Sequence, residues 1–220
     1  MPTDIILIRH GETEWNKLGR LQGHLDIDLS ELGRGQAALL AARLATEQAL
    51  GMRFDACYSS DLSRARHTAE PVAHALGLPL HFMPQLRERN YGVFQHHDKA
   101  QISALFPDAY RSWQTHDPLF APDGGESMQT FYQRVNQALD LLVRQHAGQR
   151  ILCVAHGGVL DCAYRHALQL PLQRPRAHAL LNASINRLRY DAGGVQVLEW
   201  ADIAHLESSA DDTLAVPHAS

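Results

Sequence analysis

The sequence predicts an α/β fold, a three-layer αβα sandwich built on a mainly parallel sheet. Short apolar runs at residues 5–8, 54–58 and 151–155 read as buried strands. Each is followed by a stretch whose apolar residues recur three or four positions apart, the alternation that gives a parallel sheet covered on both faces. The third observation is where the runs end. Arg9-His10-Gly11 follows the first and His156-Gly157-Gly158 the third, and ligands of such sheets bind outside the carboxyl ends of the strands.

Taken in order, the run at 5–8 stops at a polar cluster. Ser30 is placed to N-cap a helix over 31–49 with Ala37, Leu40, Ala41 and Leu44 on one face. After the strand at 54–58, Leu62, Ala65, Ala69, Val72, Ala73 and Leu76 mark a helix over 62–76 that Gly77 and Pro79 end. Residues 84–125, rich in Pro, Gly, His and aromatics, are expected to be an irregular cap over the site with one or two short helices. Gly124-Gly125 precedes a helix near 126–147 with its stripe at Met128, Phe131, Val135, Ala138 and Leu142. The strand at 151–155 leads to a helix reaching about Leu170. Residues 184–190 and 195–201 read as a hairpin turning at Asp191 to Gly194. The expected organisation is one domain over 1–206 and a polar, flexible tail over 207–220.

The chain has 220 residues, enough for one sizeable core. With 45% hydrophobic and 20% charged residues and a formal charge of −4, it lacks the dominant basic surface of a general nucleic-acid binder. No apolar window is long enough to span a bilayer and no basic start leads into an apolar stretch, so neither a membrane partner nor a signal peptide is expected. Cys57, Cys153 and Cys162 form no CxxC and are odd in number, which reads as reduced thiols in the cytoplasm. Oligomeric state is open, a homodimer included.

A neutral imidazole can attack phosphorus. Arg9, adjoining His10, and Arg64, at the start of its helix, would grip phosphate oxygens through bidentate forks, and their charge keeps a nearby histidine neutral. His156 is a second imidazole for the same anion, and the helix after it can aim backbone N–H groups there. Departure of the leaving group needs a proton donor, for which Glu12, Glu14 and Glu88 compete.

Leu7-Ile8-Arg9-His10-Gly11-Glu12-Thr13-Glu14-Trp15-Asn16 resembles the signature of the histidine phosphatase superfamily, with its phosphoglycerate mutase-like fold. Ser59-Ser60-Asp61-Leu62-Ser63-Arg64-Ala65, Leu86-Arg87-Glu88-Arg89-Asn90-Tyr91-Gly92, Gly125-Glu126-Ser127 and Ala155-His156-Gly157-Gly158 resemble further family segments in the family's order, so that the likeness covers residues 4–205. The resemblance implies a metal-independent phosphatase without a cofactor, acting on a small phosphorylated metabolite. His10 would be the phosphohistidine nucleophile, and Arg9, Arg64 and His156 the rest of the phosphate pocket. Glu88 would be general acid and then base, and Asn16, Gln22, Gly23 and Gly157 would line the substrate side. One departure stands out. Family members often carry glycine after Gln95, where this chain has His96-His97, which bears on the loop shape and the substrate entrance.

Other readings are weaker. His81, His96, His97 and His116 lack metal-ligand spacing such as HExxH. Asp26-Ile27-Asp28-Leu29-Ser30 follows no apolar strand, as the aspartate motif of a magnesium phosphatase would. No cysteine has an arginine six positions on, as a cysteine phosphatase requires; those positions hold Ser63, Val159 and Leu168. Trp15, Trp113 and Trp200 show no spacing of a binding box. Two alternatives stay open: a phosphoglycerate mutase, disfavoured because only Arg89, Lys99 and Arg111 lie between Glu88 and Ser127, and a non-catalytic regulatory protein on the same fold.

Overall fold

Six strands form the centre of the computed structural model, which describes residues 1–211. β1 (Thr3–Arg9), β2 (Ala56–Ser59), β3 (Leu80–Phe82) and β4 (Arg150–Ala155) run parallel, and β5 (Ile185–Asp191) and β6 (Gly194–Asp202) add an antiparallel hairpin. The order is β3-β2-β4-β1-β5-β6. β4, distant in sequence, slots between β1 and β2, so Arg9 pairs with Ala155 and the two His-Gly turns leave the sheet side by side.

The one-turn helix α1 (Glu14–Lys17) follows β1, then α2 (Glu31–Ala49) and α3 (Ser63–Leu76). α4 (Lys99–Leu105) and α5 (Pro107–Gln114) are the short helices of the 84–125 segment. α6 (Met128–Gln145), α7 (Gly157–Ala167) and α8 (Ala204–Asp211) complete the chain. Strand side chains alternate between faces. Ile5, Leu7, Ile151 and Cys153 pack with Phe131, Val135 and Leu139 of α6 and Leu160 of α7. Ile6, Ile8, Leu152 and Val154 pack with Leu40 and Leu44 of α2 and Ala65, Ala69 and Val72 of α3. These are the two dry layers of the expected sandwich, and the apolar runs are continuous because the strands are buried on both sides.

Ser30 caps α2 by accepting from Gly33 N–H, Gly77 ends α3 in a left-handed conformation, and Ser127 caps α6. Three differences from the sequence reading have local causes. α1 was not expected; a capping box between Thr13 and Asn16 stabilises its single turn. β3 was not expected either, because it is a three-residue edge strand with two exposed residues. Part of the expected flexible tail is ordered, since α8 carries the chain to Asp211; residues 212–220 lie outside the described residues. All three cysteines are free and buried. Among the described residues no helix is long and apolar enough to cross a membrane.

Candidate active site

The loop after β1 is drawn onto α2 by close backbone approach. A Cβ on Gly11 would lie 2.5 Å from the Gly33 carbonyl oxygen, and one on Gly33 would lie 2.1 Å from that of Glu12, so both positions need glycine. Gly11 N–H also donates to Thr68 Oγ1 of α3 at 2.9 Å, and Ser30 N–H to the Glu12 carbonyl at 2.9 Å. His10 is thereby held between the sheet and two helices, 3% exposed.

The His10 Nδ1 lies 2.7 Å from the Gly11 carbonyl oxygen. A carbonyl can only accept, so Nδ1 carries the proton and Nε2 keeps its lone pair. Burial, then the charges of Arg64 and Arg9, hold the imidazole well below its ordinary pKa, and it is neutral at neutral pH. His156 lies beside it, with ring centroids 5.2 Å apart. It too is held well below the ordinary range, by burial first and then by Arg64.

Arg64 is fully buried. Its Nε donates to His156 Nδ1 at 3.2 Å, Nη1 to the Leu25 carbonyl at 2.9 Å and Nη2 to the Gly23 carbonyl at 2.7 Å. Burial lowers its pKa to about 10, still charged at neutral pH. With Nδ1 of His156 accepting, its Nε2 is the protonated nitrogen and donates to Ser60 Oγ at 2.9 Å. Arg9 crosses to the far side and donates to the Leu180 carbonyl, while its buried Nε has no protein partner. That unpaired cationic donor at the cleft is what an anion would satisfy.

Glu88 reaches the site from the segment after β3. Its carboxylate accepts from Arg89 N–H at 2.8 Å and Gly158 N–H at 2.9 Å. The N-terminus of α7 therefore holds a glutamate, whereas its amides were expected to point at the phosphate. Neighbouring arginines turn away from Glu88 in this extended loop: Arg87 pairs with Asp61, and Arg89 donates to the Glu126 and Phe120 carbonyls at 2.8 and 3.1 Å. The competing carboxylates lie elsewhere. Glu12 accepts from Ser30 Oγ at 3.0 Å, and Glu14 pairs with Lys17 at 3.2 Å on the surface.

A cleft of about 140 Å³ is lined by Arg9, His10, Asn16, Gln22, Gly23, Arg64 and Glu88. Asn16 has its oxygen engaged by Thr13 N–H at 3.0 Å and hydroxyl at 3.1 Å. Gln22 donates to Thr13 Oγ1 at 2.8 Å, while its buried Oε1 has no partner. Gly23 is in the left-handed region at φ 54°, and a Cβ there would strike Gln95 Oε1; it supplies the carbonyl that steadies Arg64. Gly157 lines an adjoining cavity of about 250 Å³ that shares Arg9, Glu88 and Tyr91 with the cleft. His156, fully buried, lies behind the cleft with both ring nitrogens engaged.

Sequence reasoning missed Ser60 as the partner of His156, Arg20, Leu21 and Tyr91 of the lining, and the 180–183 segment. Asn182 Nδ2 donates to the His10 carbonyl at 2.9 Å and Ala183 N–H to that of Arg9 at 3.0 Å. The backbone contacts at 180–183 leave no mark in residue type. Ser60 and Tyr91 did stand inside quoted motifs and could have been singled out. His96 sits at φ 76°, the left-handed conformation glycine would supply. Its N–H donates to the Leu21 carbonyl at 2.8 Å, and its ring packs edge-on to Trp15 with centroids 5.0 Å apart.

The model of the histidine phosphatase superfamily (branch 1) matches residues 5–203. The chain belongs to that superfamily. Phosphoglycerate mutase-like protein 4 of Arabidopsis thaliana is 37% identical over 212 residues, covering 94% of this chain and 88% of the relative. A metal-independent phosphoserine phosphatase of the same plant is 38% identical over 208 residues, covering 94% and 84%. Among solved structures, a phosphoserine phosphatase variant from Entamoeba histolytica in complex with phosphoserine superposes with a TM-score of 0.82 at 28% identity, covering 93% of this chain and 99% of that one.

Proposed function

We infer that this protein is a metal-independent histidine phosphatase that hydrolyses a small phosphate monoester through a phosphohistidine. One observation carries the residue assignment. A buried, neutral His10 with a free Nε2 lines the same small cleft as two arginines and a carboxyl group. In the first step Nε2 attacks phosphorus and the bond to the leaving oxygen breaks, while Glu88 gives that oxygen its proton. In the second, Glu88 takes a proton from water, whose oxygen attacks phosphorus and breaks the P–N bond. Arg9 and Arg64 balance the charge on the transferring group throughout. His156 holds Arg64 in place and exchanges its Ser60 contact for a phosphoryl oxygen. Asn16, Gln22, Gly23 and Gly157 border the bound group, and residues 84–125 cap it.

The substrate class is a small phosphorylated metabolite, with phosphoserine a candidate through the relatives, and the buried free cysteines fit a cytoplasmic setting. The mutase alternative is disfavoured by the commitments of the cap cations. Arg111 pairs with Asp108 on the surface and Arg89 is spent largely on carbonyls, so the cap lacks the combination of a lysine and an adjacent arginine pair that mutases of the family carry there. The non-catalytic alternative is disfavoured because candidates for both reacting groups, His10 and Glu88, line one cleft. Phosphate release from a panel of small phosphate monoesters, unchanged by EDTA, with acid-labile labelling of His10, is the expected result. Activity lost to EDTA and restored by zinc or magnesium would turn the reading toward a metal-dependent hydrolase. Isomerisation of 3-phosphoglycerate with negligible phosphate release would favour the mutase.

A further inference from the structure

The proton donor marks the leaving-group side of the site. Glu88, Arg9 and Tyr91 border both the phosphate cleft and the adjoining cavity of about 250 Å³, so an alcohol departing past Glu88 enters that cavity. Its charged lining is Arg9, Arg89 and Arg176 against Glu88 and Asp161. Glu88 is neutral when it acts as acid. Asp161 is already held by Arg165 at 3.0 Å, and His178 Nε2 lies 3.0 Å from its other oxygen. The cavity is therefore positive where the leaving group must sit.

The three arginines differ in what they have left to give. Arg9 belongs to the phosphate, and Arg89 spends Nε and Nη2 on backbone carbonyls. Arg176 stands in the loop between α7 and β5, exposed and lining the cavity, and among the described residues no carboxylate, carbonyl or aromatic ring pairs with its guanidinium. Its charge is felt at Arg9 and Tyr91 across the cavity. It also lines the further cavity of about 410 Å³ into which the groove continues. An uncommitted guanidinium presents a planar fork that fits a carboxylate or phosphate in two parallel hydrogen bonds.

We propose that Arg176 determines leaving-group specificity by binding a second anionic group, so that the enzyme selects phosphate monoesters whose alcohol part is itself anionic. The proposal rests on the phosphatase reading and adds a residue outside the motifs that led to it. Because Arg176 is exposed, its contribution weakens as salt rises.

The test uses substrate pairs that differ by one anionic group: 3-phosphoglycerate against glycerol 3-phosphate for a carboxylate, and fructose 1,6-bisphosphate against fructose 6-phosphate for a phosphate. In the wild type, kcat/KM should favour the anionic member of at least one pair by about 10- to 100-fold, the range of one charge-assisted hydrogen bond. The pair that shows it identifies the anion. R176M should collapse that ratio mainly through KM, R176K should keep part of it, and 0.5 M salt should shrink it in the wild type. Turnover without preference in either pair, or a preference that survives R176M, would overturn the assignment while leaving the phosphatase standing. No phosphate release from p-nitrophenyl phosphate or any panel ester would take down the phosphatase reading and this inference with it.

Discussion

Arg64 of the cleft and Arg176 of the adjoining cavity differ in how they are solvated. Arg64 is fully buried, donates to two carbonyls and a histidine, and is fixed before any ligand arrives. Arg176 is exposed, and among the described residues nothing pairs with its guanidinium. A buried cation in a neutral pocket costs several kcal/mol of lost hydration unless it is paired, and the Leu25 and Gly23 carbonyls offset part of that. The return is a preorganised charge that need not reorient during reaction. An exposed arginine has no such cost and contributes less, which suits a group that selects among leaving groups. On the proposed reading, the phosphate side serves one invariant group and the leaving-group side a variable one.

The sharpest way to break this contrast is on the rigid side. His10→Ala should lower turnover by more than about 10³-fold and abolish acid-labile labelling, because His10 is the histidine that lines the cleft with a free ring nitrogen. Substantial turnover in that variant would remove His10 as nucleophile. Glu88 sits at the boundary between the two sides. Glu88→Gln should slow alkyl phosphates by about 10²–10⁴-fold and p-nitrophenyl phosphate much less, since its leaving group needs no proton. Equal slowing of both would make Glu88 structural.

Gly158→Ala moves the same carboxylate without removing it. The new Cβ would lie 2.1 Å from Glu88 Oε1 and 2.8 Å from Phe131 Cε1. Glu88 must shift, and a displacement of about 1 Å can cost on the order of 10²-fold. The kinetic loss should follow the leaving-group pattern of Glu88→Gln, and because the new Cβ also meets the buried Phe131 ring, the melting temperature should fall as well; a kinetically silent Gly158→Ala would mean that Glu88 tolerates repositioning.

Acid stability tests the burial of the two imidazoles. Both are held neutral in the fold well below their ordinary value of 6.5. Below that pH the unfolded chain takes up protons that the folded one refuses. Stability should therefore fall as pH drops through 6.5, by up to about 1.4 kcal/mol per pH unit for each histidine. Urea unfolding from pH 7.5 to 5 measures the slope, and the His10→Ala variant should show a shallower one. The smallest expected effect is at His96, whose left-handed φ of 76° disfavours a side chain. His96→Gly relieves that strain but gives up the Trp15 contact and adds unfolded-state entropy. The net change should stay under about 1 kcal/mol in either direction, and a larger loss would show that the ring contact organises the entrance.

Five of the six strands, the three long helices and the positions of His10 and His156 were readable from residue order because they rest on local patterns; the short edge strand β3 was not. Alternating faces, three-to-four spacing and capping residues such as Ser30 are properties of neighbouring positions, and the strand-then-His-Gly pattern identifies a sheet edge without coordinates. The insertion of β4 beside β1, the swing of Glu88 onto Gly158, the spending of Arg64 on the Leu25 and Gly23 carbonyls, and the return of residues 180–183 to His10 were decided only in the tertiary structure. These contacts join segments tens to more than a hundred residues apart, many through backbone groups that every residue carries. Their specificity lies in where packing places those groups, so the one-dimensional sequence indicated which chemistry the chain carries, and the packed sheet and helices decided which atoms meet.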